Sequence, residues 1–323
     1  MKILFVALDY HDYTQKIIAE MQSLGGEVTY VDILPRSTFY KVFRTLTPAR
    51  YASFLRRHHA RALKQAAQQR FDRVVFLQAH QVDLPLLGEL RASQPGVPFV
   101  LYNWDSLSTH DYRPQAAFFD HVFTFDGDDA EANGFRYLPL FGTRQMQALR
   151  RDRTRARNVY TVGNIVNPKR YHAIIAFQAY CRSEGIDFKA FMKITPVVYF
   201  RMLRTGILPR GVSFRSITSR QFHDMMEQSV AVFDFANHQQ SGHTMRTIEN
   251  LCSGKKIITN NASVLNEPFF SEDRFLIFQD FDFSRVSAFL DVPLANPDAR
   301  FEEYGIEAFT RQLLLLDGRE GAA

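Results

Sequence analysis

The sequence predicts an α/β protein built from two doubly wound domains facing a central cleft. Two observations carry that prediction. Short apolar runs of strand length recur along the chain with helix-like stretches between them, which argues for parallel sheets covered on both faces. The alternation is interrupted once, from Leu149 to Asn158 (LRRDRTRARN), by a charged stretch of linker composition. The chain therefore divides into a first domain at 1–150, a second at 158–300, and a C-terminal helix and tail at 301–323. A length of 323 residues with 46% hydrophobic content is enough for two cores.

In the first domain, Ile3 to Leu8 reads as a strand, Tyr13 to Leu24 as a helix stopped by Gly25 and Gly26, and Glu27 to Val31 as a second strand. Further strands are expected at Arg73 to Leu77, Phe99 to Tyr102 and His121 to Phe125. Their ends are polar: Asp9, Tyr10, His11 and Asp12 follow the first; Gln78, His80 and Gln81 the third; Asn103, Trp104, Asp105 and Ser106 the fourth; Asp126 the last. Parallel strands bring these ends to one edge of the sheet, where α/β proteins bind ligands.

The second domain repeats the plan. Val159 to Val162 is a strand running into Gly163 and Asn164, a helix lies around His172 to Ser183, and Phe188 to Ile194 is a strand. A variable stretch with Pro196, Gly206 and Pro209 precedes a short segment at Val212 to Phe214 and a helix at Ser219 to Ser229. Val230 to Phe235 is then a buried strand, followed by QSGHTMRTIENLCSGKKIITNN, Gln240 to Asn261. This reads as a loop entering a helix that stops at Gly254, with a strand from Lys256 to Thr259. Gly242 allows close approach to backbone, Thr244 offers a hydroxyl, and the first-turn N–H groups favour an anion such as phosphate. Glu249 lies about two turns further on, where a carboxylate could accept from ribose hydroxyls. Phe275 to Phe278 is a further strand, and a final helix from Phe301 to Leu316 is expected to pack back on the first domain.

Two distant cysteines, Cys181 and Cys252, give neither a disulfide framework nor a zinc motif, which fits a reducing cytosol. Asp9 cuts the first apolar run too early for a signal peptide, and no run reaches the roughly 18 apolar residues of a membrane span. A cytoplasmic location is expected, with any membrane contact peripheral at the inner face. The net charge of +5 is concentrated: residues 33–71 contain no acid, and Arg36, Lys41, Arg44, Arg50, Arg56, Arg57, Arg61, Lys64 and Arg70 supply nine positive charges there. Residues 36–70 could meet an anionic membrane or form a solvated helical face. No nucleic-acid motif accompanies them, so no nucleic-acid partner is expected.

The segments QSGHTMRTIENLCSGKKIIT and FTFDGDDAEANGFRYLPLF, set in two doubly wound domains, resemble a GT-B glycosyltransferase. More narrowly, they are similar to a bacterial surface-polysaccharide group (capsule, lipopolysaccharide, exopolysaccharide). The resemblance implies two Rossmann-like domains, a nucleotide-sugar donor and a glycan or lipid-linked acceptor. It implies that Gly242, His243 and Thr244 hold the donor diphosphate, Glu249 the ribose, and Gly163 with Asn164 the first loop of the donor domain. Arg246, Lys255 and Lys256 are candidate countercharges. The pattern departs at Ser241, where many retaining enzymes of this fold carry a second Glu contacting the donor sugar.

Transfer requires stabilisation of the leaving diphosphate and, for inversion, a base for the acceptor hydroxyl. Asp105, Asp9 and His11 are the candidate bases, with Asp105 favoured. No cofactor is implied, since the nucleotide-sugar is a substrate, and a divalent metal is not expected. Asp126-Gly127-Asp128 has the spacing of a metal–diphosphate motif, but an acid-rich helix start reads better. The competing reading from another class is a two-domain protein that binds a nucleotide or sugar without turning it over.

Overall fold

The computed structural model describes residues 1–10, 12–34, 47–149, 157–236 and 241–317. His11, Arg36, Lys41, Arg44 and Gln240 lie outside them. The chain divides into two compact units, one of Met1–Leu140, Gln239–Gly242 and Ile306–Ala323, the other of Phe141–His238 and His243–Gly305.

The first unit runs β1 (Lys2–Ala7), α1 (Tyr13–Ser23), β2 (Glu27–Asp32), α2 (Pro48–Ala66), β3 (Arg73–Leu77), α3 (Leu84–Ser93), β4 (Phe99–Asn103), α4 (Arg113–Ala116), β5 (His121–Thr124), α5 (Gly127–Asn133) and β6 (Arg136–Tyr137). The strands form a parallel sheet in the order β2-β1-β3-β4-β5-β6. Every residue of β4 is buried, the mark of a central parallel strand covered on both faces. The chain leaves β1 toward β2 and returns to the other side of β1 with β3. The carboxyl ends of β1 and β3 thus flank the point where winding reverses, the usual ligand location in such sheets.

The second unit contains α6 (Arg144–Gln147), β7 (Asn158–Ile165), α7 (Pro168–Ser183), β8 (Asp187–Ile194), α8 (Pro196–Arg204), β9 (Val212–Ser213), α9 (Ser219–Glu227), β10 (Ala231–Asp234), α10 (Met245–Cys252), β11 (Lys256–Thr259), β12 (Phe275–Ile277) and α11 (Val286–Asp291). Its parallel sheet has the order β12-β11-β10-β7-β8-β9. Phe177 of α7 stacks on Phe233 of β10 with ring centroids 4.2 Å apart and meets Phe188 and Phe283 edge-on, which fixes α7 across the sheet. Winding reverses here between β7 and β10.

The C-terminal helix α12 (Ile306–Leu313) groups with the first unit, where it packs on α1 and Phe309 meets the Tyr102 ring edge-on at 4.8 Å. It starts later than the expected Phe301. Glu302–Tyr304 forms a separate 3-10 turn and Gly305 is extended, because the Tyr304 carbonyl accepts from Gly142 N–H at 2.9 Å.

The strand of Val159 to Val162 also differs from expectation. β7 continues through Gly163 and Asn164, which pair with Met192 and Lys193 of β8. Glycine and asparagine are turn formers by local preference, but here a long partner strand extends the ladder past them.

Candidate functional site

Chemistry in the second unit gathers where β7 and β10 part. Their pairing ends at Val232, so β7 beyond Tyr160 offers backbone on that side. Asp234 closes β10, and its carboxylate is fully buried. One oxygen accepts from Arg246 Nη1 at 2.6 Å, the other from the hydroxyls of Thr244 at 2.9 Å and Thr247 at 3.1 Å. Arg246 reaches onward to donate to the Val162 carbonyl. A Cβ at Gly163 would stand 2.9 Å from Arg246 Nη2, so glycine there lets the guanidinium lie against the strand.

A second guanidinium comes from α7. Asn167 caps that helix by accepting from Arg170 N–H at 2.9 Å, and Pro168 opens it. This turns Arg170 back over the strand ends, where it donates to Phe235 O from Nη2 at 2.6 Å and to Asn164 O from Nη1 at 3.1 Å. Burial, with Arg246 nearby, lowers its pKa to about 10. It stays charged at neutral pH. Two arginines thus stand beside the start of α10, one of them paired with Asp234, and the carboxylate of Glu249 lies further along the same helix.

The predicted donor residues divide around this site. Thr244 is the N-cap of α10, its hydroxyl accepting from Thr247 N–H at 3.1 Å while donating to Asp234. Thr244 therefore shapes the helix start, and the N–H groups of Met245 and Arg246, which helix geometry leaves without intrahelical acceptors, face the role foreseen for it. The His243 side chain is buried against Phe269, with Nε2 2.6 Å from Glu267 Oε1. Glu249 sits mid-helix and is only 3% exposed. It lies close enough to the Tyr160 hydroxyl and the Cys252 thiol to raise both, behind the larger effect of burial. Lys256 does not face this site: its ammonium donates to the carbonyls of Phe289 and Val292, in the last turn of α11 and just after it. Lys255 is buried.

Gly242 groups with the first unit, together with Ser241. Asp126, the N-cap of α5, accepts from Asp129 N–H at 3.2 Å, as the capping reading of the acidic segment requires. The same carboxylate accepts from Ser241 N–H at 3.1 Å, Ser241 Oγ at 2.6 Å and Gly242 N–H at 3.4 Å. Asp128 N–H completes the set by donating to Ser241 Oγ at 3.1 Å. At Gly242 a Cβ would come within 2.5 Å of the Phe125 ring and 2.6 Å of its carbonyl oxygen, so only glycine fits against β5.

Elsewhere in the first unit, Asp105 is half-buried and accepts from the amide of Gln78. Gln78 itself has φ of 67°, a left-handed backbone that a non-glycine residue adopts at a cost. Its N–H donates to Tyr102 O at 2.8 Å, which pins that conformation between β3 and β4. Asp9 is exposed after β1, and the Tyr10 and Trp104 rings lie 5.5 Å apart. His80 stacks on His110 at 4.0 Å, and burial and that neighbour lower its pKa to about 4, so it is neutral at physiological pH. Gln78 is among the polar strand ends expected at this edge, whereas Asp234 and Arg170 are not expected from the sequence, although Asn167-Pro168 before a helix is a legible signal for the turn that aims Arg170.

No protein-family model and no curated protein matches the chain. Solved structures do. An alpha-glucosyltransferase in complex with UDP and a 13-mer DNA aligns with TM-score 0.63 and 12% identity over 97% of this chain and 95% of that one. The apo lipopolysaccharide outer core galactosyltransferase WaaB gives 0.57 and 12% over 98% and 99%. The UDP-GlcNAc 2-epimerase from Neisseria meningitidis bound to UDP-GlcNAc gives 0.55 and 11% over 98% and 100%. At such identities the likeness is one of fold, and over nearly the whole chain that fold is the pair of Rossmann-like domains of the GT-B glycosyltransferases.

Proposed function

We propose that this chain is a glycosyltransferase that moves a sugar from a nucleotide-sugar donor to a glycan or lipid-linked acceptor in bacterial surface polysaccharide synthesis. The observation that carries the reading is the Arg170–Arg246 pair at the winding reversal of the second unit, with Arg170 reaching in from α7 and Arg246 in the first turn of α10, the helix that also carries the buried Glu249. That set suits a nucleoside diphosphate: cations and helix-start amides for phosphate, a carboxylate for ribose hydroxyls. The same fold holds UDP in the alpha-glucosyltransferase and UDP-GlcNAc in the epimerase, and the polysaccharide role rests on the sequence resemblance.

In the reaction the acceptor oxygen attacks the anomeric carbon as its bond to the diphosphate breaks, and negative charge builds on the leaving group. Arg170, Arg246 and the first-turn amides of α10 stabilise that charge. Asp105, oriented by Gln78, takes the acceptor proton. Transfer is favoured over simple binding because candidate bases, Asp105 and Asp9, stand at the strand ends of the first unit.

Calorimetry with UDP-, GDP-, CMP- and dTDP-sugars should find one class that binds. Glu249→Ala should weaken it about tenfold or more; unchanged affinity would remove Glu249 from the ribose site. Asp105→Asn should keep donor affinity and lose on the order of 10²-fold in turnover. Full turnover in that variant would mean the base lies elsewhere.

A further inference from the structure

We infer that the strip formed by α8, the loop after it and β9 is a docking surface for an anionic lipid bilayer. β9 is the edge strand of the second unit's sheet. Within residues 197–214 five large apolar side chains stand in solvent: Val197 at 68% exposure, Phe200 at 60%, Leu208 at 53%, Phe214 at 55%, and Leu203. The Tyr199 ring links two of them across the strip, meeting Phe200 at 5.9 Å and Phe214 at 5.4 Å, and Val197 and Leu203 stand on the same helix as Phe200. Met202 on the same helix is buried, so α8 is anchored by one side and presents the other.

The charge along this stretch of the chain is of one sign. Residues 188–223 contain no acid and seven cations: Lys189, Lys193, Arg201, Arg204, Arg210, Arg215 and Arg220. Among the described residues no carboxylate pairs with Arg201, Arg204, Arg210 or Arg215. Exposed aromatic and branched side chains interspersed with arginines complement a bilayer surface, where apolar groups reach the acyl boundary and guanidinium groups meet headgroup phosphates.

The basic helix α2, where the sequence invited a membrane contact, lacks this combination. Its Leu55, Leu63 and Ala66 are buried, and Phe54 is the exposed large apolar residue. Arg56 and Lys64 face Asp83 at 3.8 Å and Glu89 at 3.6 Å. In its described residues α2 is a solvated face.

The test is flotation of the full chain with phosphatidylcholine vesicles and with vesicles containing phosphatidylglycerol. Binding should require the anionic lipid and fall about tenfold when ionic strength rises to about 0.5 M. Val197→Asp with Phe200→Asp should abolish it, and Arg201→Glu with Arg204→Glu should remove the preference for anionic lipid. Arg57→Glu with Arg61→Glu on α2 should float like wild type. All these positions are exposed, so the variants should fold, and circular dichroism checks that they do. Three results would overturn the inference: no flotation of the wild type, flotation lost through α2 and kept without α8, or light scattering showing a dimer that the α8 variants dissociate. The last would make a second copy the occupant.

Discussion

Replacing Asp234 by alanine should cost the protein about 3–5 kcal/mol of stability, measured by urea unfolding. The carboxylate is fully buried and the Arg246 side chain is only 17% exposed. Removing one partner of a buried, hydrogen-bonded pair leaves the other charge without compensation, a penalty in that range. The hydroxyls of Thr244 and Thr247 lose their acceptor too, though at 3.2 Å they can bond each other and recover part of the loss. The companion experiment separates stability from function. Asp234→Leu combined with Arg246→Met removes both charges, and such exchanges are often neutral or stabilising. The double variant should regain most of the stability and still bind nucleotide-sugar poorly. A loss below about 1 kcal/mol in Asp234→Ala would mean that the pair does not hold Arg246 against β7.

What the sequence made legible follows from how local each signal is. β1, β3 and β11 were found within a residue or so, because each is a short apolar run bounded by polar or glycine residues. The helix start at Thr244 was legible for the same reason, since a capping residue acts on amides two or three positions away. Helix α8 is hidden in the variable stretch between Pro196 and Pro209: four apolar residues run consecutively from Val197 to Phe200, and only Met202 in the helix is buried, so no core-facing period shows. The candidate site was half visible. Glu249 and Arg246 belong to one recognisable segment, whereas Arg170 and Asp234 acquire meaning only when β10 lies beside β7. That adjacency is a property of strand order across some seventy residues, which no local pattern records.

Asp126 is where the acidic segment and the departure at Ser241 meet, and Asp126→Ala should cost about 2–3 kcal/mol in denaturant unfolding. One carboxylate takes four donors, three from Ser241 and Gly242 and one from its own helix. Hydrogen bonds to a buried charge contribute about 1.5–3 kcal/mol, and loss of an N-cap about 1. These terms overlap, since Ser241 Oγ still accepts from Asp128 N–H and can rotate toward water. A functional loss should accompany the structural one. Gly242 leads directly into His243 and the cap of α10, so loosening it lowers the order of the amides proposed to meet the diphosphate, and nucleotide-sugar affinity should fall about tenfold. Glu131→Ala, an exposed position on the same helix, should change neither quantity. The metal reading of Asp-Gly-Asp predicts another pattern: Asp126→Ala would leave metal-free stability nearly intact and abolish a manganese- or magnesium-dependent gain in donor affinity. By the sequence resemblance, Ser241 stands where many retaining enzymes carry a glutamate. Here its hydroxyl binds a carboxylate instead of replacing one, so Ser241→Glu should set two carboxylates against each other and destabilise the chain rather than restore the pattern.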